Sequence, residues 1–245
     1  MSHWYDKEGK LVLDATVKDA RKHGLYPSVT TITHLIDNYG LNLWKQRQAA
    51  LAGYTFPVSP LSDKEIVAKI IEDGKEEAGL KADKGTQLHS MVERPLLGKE
   101  INLSEYPEDI VKPFLAAKEW IHANVEHTIE CEKSQVSEEH GFAGTPDALV
   151  KLKTGELTLI DWKTQGTKED EEKLYKKFSS YPEWKWQLAA CNILTGRVAE
   201  KWINVAISSN EAIIKVYDYK QEKIQEAEGI FLSILDTFKK INKLN

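Results

Sequence analysis

The sequence predicts an α/β protein of the α+β kind, and three observations carry that prediction. Up to about residue 127 the apolar residues recur at helical spacing. From residue 128 they alternate with polar ones, as along a half-buried strand. Two further helical patterns follow, the second closing the chain. The expected organisation is a mainly helical N-terminal part, residues 1–127, and a core of sheet and helices, residues 128–245, integrated as one domain.

After an opening turn, LYPSVTTITHLIDNYG carries a proline, a Ser/Thr cluster, and Ile32, Leu35, Ile36 and Tyr39 at helical spacing. LNLWKQRQAALAG continues helical and stops at Gly53. The prolines of YTFPVSPLSD make a loop, and Ser62, with Glu65 three residues on, forms a capping box for the next helix. KGTQLHSMVERPLLG reads as another helix. YPEDIVKPFLAAKEWIHANV is a third long one, with Phe114, Leu115, Trp120 and Ile121 on or near one face. TIECEKSQVS, GFAGTPDALVKL and LTLIDWKT read as three consecutive antiparallel strands, the last two joined by the turn KTGE. WKWQLAACNILTG is helical with Gly196 as its stop. KWINVAIS and EAIIKVYDY form a further hairpin. QEKIQEAEGIFLSILDTFKKI is an amphipathic helix whose apolar residues are Ile224, Ile230, Phe231, Ile234, Leu235 and Phe238.

With 41% hydrophobic and 29% charged residues the chain is neither disordered nor of low complexity. No apolar run approaches the length of a membrane span. The opening MSHWYDKEGK lacks the apolar stretch of a signal peptide. The expected location is the cytoplasm, that of the host cell if the gene is viral. Cys131 and Cys191 are too few for a cysteine-bound cluster or a structural zinc, and read as reduced core thiols. A net charge of −5 excludes a broadly basic nucleic-acid-binding protein, so any such surface is a local basic groove in an acidic shell.

LTLIDWKTQ, Leu157 to Gln165, runs as a strand and then ends on charge. Side chains alternate along a strand, so Asp161 and Lys163 share one face and Trp162 takes the other, toward the core. In isolation such a pair reads first as a structural ion pair at a sheet edge. Asp147, however, lies about as far from the KTGE turn as Asp161 does, which brings two carboxylates together at the open end of a hairpin. Carboxylates that close repel unless positive charge lies between them, and hard divalent cations bind such oxygen clusters. Gly144 either admits a close approach of backbone or substrate, or marks a bulge. His89 and Glu93, four apart, project from one helix face, as a surface pair or as ligands. Gly85 allows that helix to pack tightly on a sheet. Gln187, beside Trp186, is either an ordinary polar helix residue or a further member of the site.

In order, Gly85, His89, Glu93, then Glu132, Gly144 with Asp147, Asp161 with Lys163, and Gln187 resemble the motifs of the PD-(D/E)xK nucleases. Within them the chain looks like the RecB-type branch, and with LYPSVTTI and LIDWKT it is most similar to the mitochondrial genome maintenance exonuclease group and its phage and bacterial relatives. The resemblance runs from about residue 25 to 195. It implies a restriction-endonuclease-like core, a mixed central sheet flanked by helices. Cys191 stands where the family often has a tyrosine after Gln187, and the two cysteines exclude the iron–sulfur cluster of some members. Glu132 matches the family glutamate by spacing, with Glu130 as its competitor.

The resemblance also implies a chemistry. Mg²⁺ or Mn²⁺ is expected on Asp147, Asp161, the backbone carbonyl of Trp162 and His89, with Lys163, Gln187 and Glu132 completing the catalytic set. A divalent ion offsets phosphate charge and acidifies water, and Lys163 orients or deprotonates that water or balances the phosphate. Candidate substrate contacts are Tyr26, Ser28 and Thr30 of YPSVT, Glu93, and Lys176 with Lys173, Lys177, Tyr175 and Phe178 in a DNA-facing flap. For YPSVT the alternative is a helix N-cap with a packed tyrosine, and for the lysines a solvated helix. The expected partner is DNA with single-stranded or free ends, and the expected activity an exonuclease of recombination, repair or replication. A structure-specific endonuclease, a non-catalytic nucleic-acid-binding relative, and a structural or partner-binding protein whose acidic residues are surface remain the alternatives.

Overall fold

The structure is a computed structural model that describes residues 3–36, 39–57, 61–166, 180–209 and 211–244. It divides into two compact units, Met1–Ile36 with Leu88–Asn245, and Asp37–Gln87. The boundary differs from the expected one at residue 127: the chain on both sides of the second unit belongs with the sheet. Among the described residues no helix is long and apolar enough to cross a membrane.

The second unit holds α3 (Tyr39–Thr55) and most of α4 (Asp63–Leu96). Ser62 stands before α4, and the Glu65 carboxylate accepts from its N–H at 2.9 Å and its hydroxyl at 2.6 Å. The two helices expected between Ser62 and Gly98 are one. Glycine weakens a helix by only about 1 kcal/mol, so Gly74, Gly79 and Gly85 do not break it. Pro95 falls in its last turn.

In the first unit, β1 (Trp4–Tyr5), β2 (Leu11–Val12) and β3 (Tyr26–Pro27) make a small sheet, with α1 (Val17–His23) and α2 (Val29–Thr33) beside it in sequence. The main chain then runs through α5 (Glu108–Asn124), β4 (Val125–Cys131), β5 (Gln135–Ser137), β6 (Phe142–Gly144), β7 (Ala148–Leu152), β8 (Leu157–Gln165), α6 (Pro182–Leu194), β9 (Lys201–Ser208), β10 (Ile214–Tyr219) and α7 (Gln221–Asn242). Five strands form a mixed sheet in the order β10-β9-β8-β7-β4, antiparallel except for β8 with β9. A parallel pair needs a long crossover, and α6 lies in it.

Alternation sorts the sheet's two faces. Val150, Ile160, Trp162, Ile203, Val205 and Ile207 pack on Phe114 and Ile121 of α5 and on Leu88, Met91 and Val92 at the end of α4. Trp162 meets Trp120 edge to face, ring centroids 5.6 Å apart. Leu149, Leu159 and Trp202 point the other way, toward Leu188 and Cys191 of α6 and Ile224 of α7. Asp161 and Lys163 have the parity of Leu159, so they lie on the α6 face.

Three expectations change. The strand expected over GFAGTPDALVKL is two: β6 pairs with β5 in a separate ribbon, and β7 starts only at Ala148. Pro146 has no N–H for a ladder, so the strand breaks there and Asp147 lies in the bend before β7. Leu115 and Ile230, expected on apolar faces, are 45% and 38% exposed. Gly144 marks no bulge, since it pairs in register with Gln135. A Cβ there would stand 3.0 Å from both Leu194 Cδ1 and Val29 Cγ2, so its lack of a side chain lets α2 and α6 close over β6. Gly144→Ala is expected to lose about 1–3 kcal/mol by overpacking, read as a lower denaturation midpoint; an unchanged midpoint would show that Leu194 yields freely.

Candidate active site and metal centre

The residues converge at one end of β8. The β7–β8 ladder ends at Ala148 opposite Ile160. One step further on, the same register sets Asp147 against Asp161. Beyond Ile160 the β7 side of β8 has lost its ladder partner, and Asp147 Oδ2 takes the Trp162 N–H instead, at 2.6 Å. Within a strand the N–H and C=O of one residue point to the same side, so the Trp162 carbonyl also faces Asp147.

The last turns of α4 bring His89 and Glu93. His89 Nε2 bonds Asp147 Oδ2 at 2.9 Å, and Nδ1 bonds Glu93 Oε1 at 3.3 Å. Glu132 Oε1 lies 3.8 Å from the same Nδ1. Glu132 is aimed there by a left-handed backbone, φ 50°, and its N–H donates to the Asp147 carbonyl at 3.1 Å. Such a conformation costs a side-chain-bearing residue about 1–2 kcal/mol. Glu130 instead pairs with Lys133 and accepts from Gln135 Nε2 at 2.7 Å. Of the two glutamates, Glu132 is the one at the site.

Charge is unbalanced in this half. Burial works against a charged His89, but Asp147, Glu132 and Glu93 outweigh it and hold the imidazolium up to about 10. Burial works against the Asp147 charge too, yet His89, Lys163 and the Trp162 N–H keep that carboxyl below its usual range. Burial, and then the Asp147 and Glu93 charges, push Glu132 up to about 8. Glu132 Oε1 is buried without a hydrogen-bond partner. His89, Glu93 and Glu132 each offer a ligand atom, all within 4.8 Å of one another. An orphaned carboxylate oxygen beside an imidazole and further carboxylates is a donor set that a divalent cation fits.

The other half is organised around Lys163. Its Nζ donates to Asp161 Oδ1 and Oδ2 at 2.9 and 2.8 Å, and to Gln187 Oε1 on α6 at 2.7 Å. Burial pushes the Asp161 carboxyl up to about 6, with the Asp147 charge assisting, against the pull of Lys163. Burial opposes the lysine's charge, but Asp161 and Asp147 raise its pKa above the ordinary value.

Asn204 was not singled out in the sequence. It lies opposite Asp161 on β9, fully buried, and its amide donates to Asp161 Oδ2 and, at 3.5 Å, to the Asp161 carbonyl. The available signal is one amide inside the apolar run KWINVAIS. Asn204→Ala is expected to lose about 1–3 kcal/mol by leaving a buried carboxylate short of a donor, and Asn204→Asp to lose more by setting two carboxylates together. Thermal denaturation measures both; an Asn204→Asp protein as stable as the parent would contradict the assignment.

The substrate candidates fare differently. Ser28 caps α2, its hydroxyl accepting from the Thr31 N–H at 3.0 Å, and it is buried, so the cap is the role it fills. Thr30 is exposed next to it, and Tyr26 is half-buried in β3. Glu93 is turned onto His89 amid other carboxylates, where its charge would repel a phosphate rather than bind one. Lys176, with Lys173, Lys177, Tyr175 and Phe178, lies outside the described residues.

No family model matches the chain, and no curated protein matches it. Among solved structures it is similar to the crystal structure of SSO0001, with 19% identity over 60% of this chain and 74% of that one, and a TM-score of 0.30.

Proposed function

We propose that the chain is a Mg²⁺- or Mn²⁺-dependent deoxyribonuclease, an exonuclease acting at single-stranded ends in DNA recombination, repair or replication, with a restriction-endonuclease-like core of the RecB type. The observation that carries this reading is the amine of Lys163, held between Asp161 and Gln187 beside a His89–Asp147–Glu132 donor set that has more carboxylates than cations. A structural ion pair needs no such surplus.

His89, Asp147, Glu132 and Glu93, with Asp161 and the Trp162 carbonyl, would hold the cation. When bound, it supplies positive charge against the phosphodiester and makes water a stronger acid. Asp161 and Gln187 fix the position of Lys163 Nζ, so the ammonium is pre-oriented before substrate arrives. Lys163 then offsets phosphate charge or holds the attacking water, and either role needs it at the α6 face, where it lies. Asn204 keeps the Asp161 carboxylate from rotating away. In the protein without its cation, the His89 proton partly replaces that charge.

The test uses 5′- and 3′-end-labelled oligonucleotides, single- and double-stranded, linear and circular, with Mg²⁺, Mn²⁺ or Ca²⁺. Loss of label from linear single strands in Mg²⁺ and Mn²⁺ but not Ca²⁺ is expected. Cutting of circles would favour an endonuclease, and binding without cutting in any metal a non-catalytic relative.

A further inference from the structure

The catalytic strand carries a third polar side chain that the chemistry above does not use. Asp161, Lys163 and Gln165 share one face of β8, and α6 meets that face twice. Gln187 Oε1 accepts from Lys163, and the Tyr181 hydroxyl accepts from Gln165 Nε2 at 3.1 Å. Two strand residues span about 7 Å, on the scale of one nucleotide step along an extended strand.

Tyr181 is an open aromatic. It stands at the N-cap of α6, 40% exposed, and meets Trp184 edge to face with centroids 5.3 Å apart. Trp184, buried against Ala206, meets Tyr217 of β10 at 6.0 Å. Lys215 Nζ lies 4.9 Å from the centre of the Tyr217 ring. Sheet register sets Lys163, Ala206 and Lys215 side by side on β8, β9 and β10. At strand spacing the two lysine Cα atoms are about 10 Å apart. Between these two lysines Ala206 packs under Trp184, whose ring meets Tyr217. Packing alone accounts for Trp184, which is buried, but not for a tyrosine ring tethered to the catalytic strand by its hydroxyl and left open.

We propose that Tyr181 is the stacking platform for the base adjoining the scissile phosphate, and that Lys215 contacts the backbone of the same single strand as it leaves toward the β10 edge. This deepens the nuclease reading above and rests on it. Single-stranded nucleic acid is the ligand because its unpaired bases can lie on an aromatic face while its backbone follows cations, which a duplex does not permit. The strip also gives an acidic protein the local positive and aromatic track that nucleic acid requires.

The experiment measures binding of a fluorescently end-labelled oligothymidylate in Ca²⁺ by anisotropy, and cleavage of the same oligomer in Mg²⁺. Tyr181→Ala is expected to weaken binding about 5- to 100-fold and to raise KM rather than lower kcat, with Tyr181→Phe recovering most of the loss. Lys215→Gln is expected to reduce the slope of log affinity against log salt by about one contact. One arm needs no variant: an abasic residue next to the cleaved bond weakens wild-type binding to a similar degree, and costs Tyr181→Ala nothing further. A wild type indifferent to the abasic residue, or a Tyr181→Ala protein that loses as much again on it, overturns the platform. If wild type cuts while these substitutions change nothing, the platform falls and the nuclease reading stands. If wild type neither binds nor cuts DNA, both fall.

Discussion

Lys163→Ala is expected to lower phosphodiester cleavage by about 10²- to 10⁴-fold, the range that one positioned proton-transfer group contributes. The same substitution removes one partner of a buried pair. Asp161 is 8% exposed and would keep Asn204 as its side-chain donor. Breaking a buried ion pair costs about 3–5 kcal/mol where the remaining group stays charged. Asp161 has a way out, because burial already pushes its carboxyl up to about 6. The stability loss of Lys163→Ala should therefore be large at pH 8 and much smaller at pH 5, where Asp161 becomes neutral. Activity at pH 8, assayed at a temperature where circular dichroism shows the variant folded, separates catalysis from folding. A folded Lys163→Ala that still degrades DNA at the wild-type rate would remove the lysine from the mechanism.

Glu132→Gln is expected to act in opposite directions with and without metal. In chelator, the ionised Glu132 carboxylate crowds other carboxylates and leaves one oxygen unpartnered. As an acid whose folded pKa is raised from 4.5 to about 8, it contributes stability while protonated and loses that contribution as pH climbs between those values. His89 works in the same direction: raised from 6.5 to about 10, its contribution is complete below pH 6.5 and lost as pH rises through about 10. The folded state binds more protons than the unfolded one across both windows, so chelated wild-type protein should become steadily less stable from pH 4.5 to pH 10. Glutamine has no charge to expose, so Glu132→Gln should be the more stable protein in chelator at pH 9. Added Mn²⁺ reverses the ranking. A cation at 100 times its Kd stabilises by about 2.7 kcal/mol, and the variant, short of a ligand, should gain much less. Denaturation midpoints of both proteins, with and without Mn²⁺, test this. A variant that is less stable in chelator at pH 9 and gains equally from Mn²⁺ would take Glu132 out of the metal centre.

The positions differ in how far the sequence could locate them. The shared face of Asp161 and Lys163 and the opposite side taken by Trp162 were legible, because strand alternation is a property of adjacent peptide units. The opposition of Asp147 and Asp161 was legible from their equal spacing about the KTGE turn, although Pro146 puts Asp147 in a bend rather than a strand. His89 with Glu93 followed from one helical turn. Glu130 and Glu132 were not separable by spacing. The choice rests on the left-handed backbone at Glu132, which turns that side chain toward His89 while Glu130 finds Lys133 and Gln135. For Ser28 the cap and the phosphate contact were equally open, and its burial decides for the cap. The boundary inside α4, between Gln87 and Leu88, had no composition shift to mark it.

The sequence by itself determined which side chains share a face, where turns fall, and that two carboxylates and an amine gather at one strand end. Each follows from geometry repeating over two to four residues. The tertiary structure alone decided that Gln187 reaches Lys163, that Asn204 steadies Asp161, and that Tyr181 stands over Gln165. Those meetings depend on the parallel pairing of β8 with β9 and on how the crossover helix α6 lies across them. That pairing is chosen by burial of the whole sheet, so no local spacing in the chain encodes it.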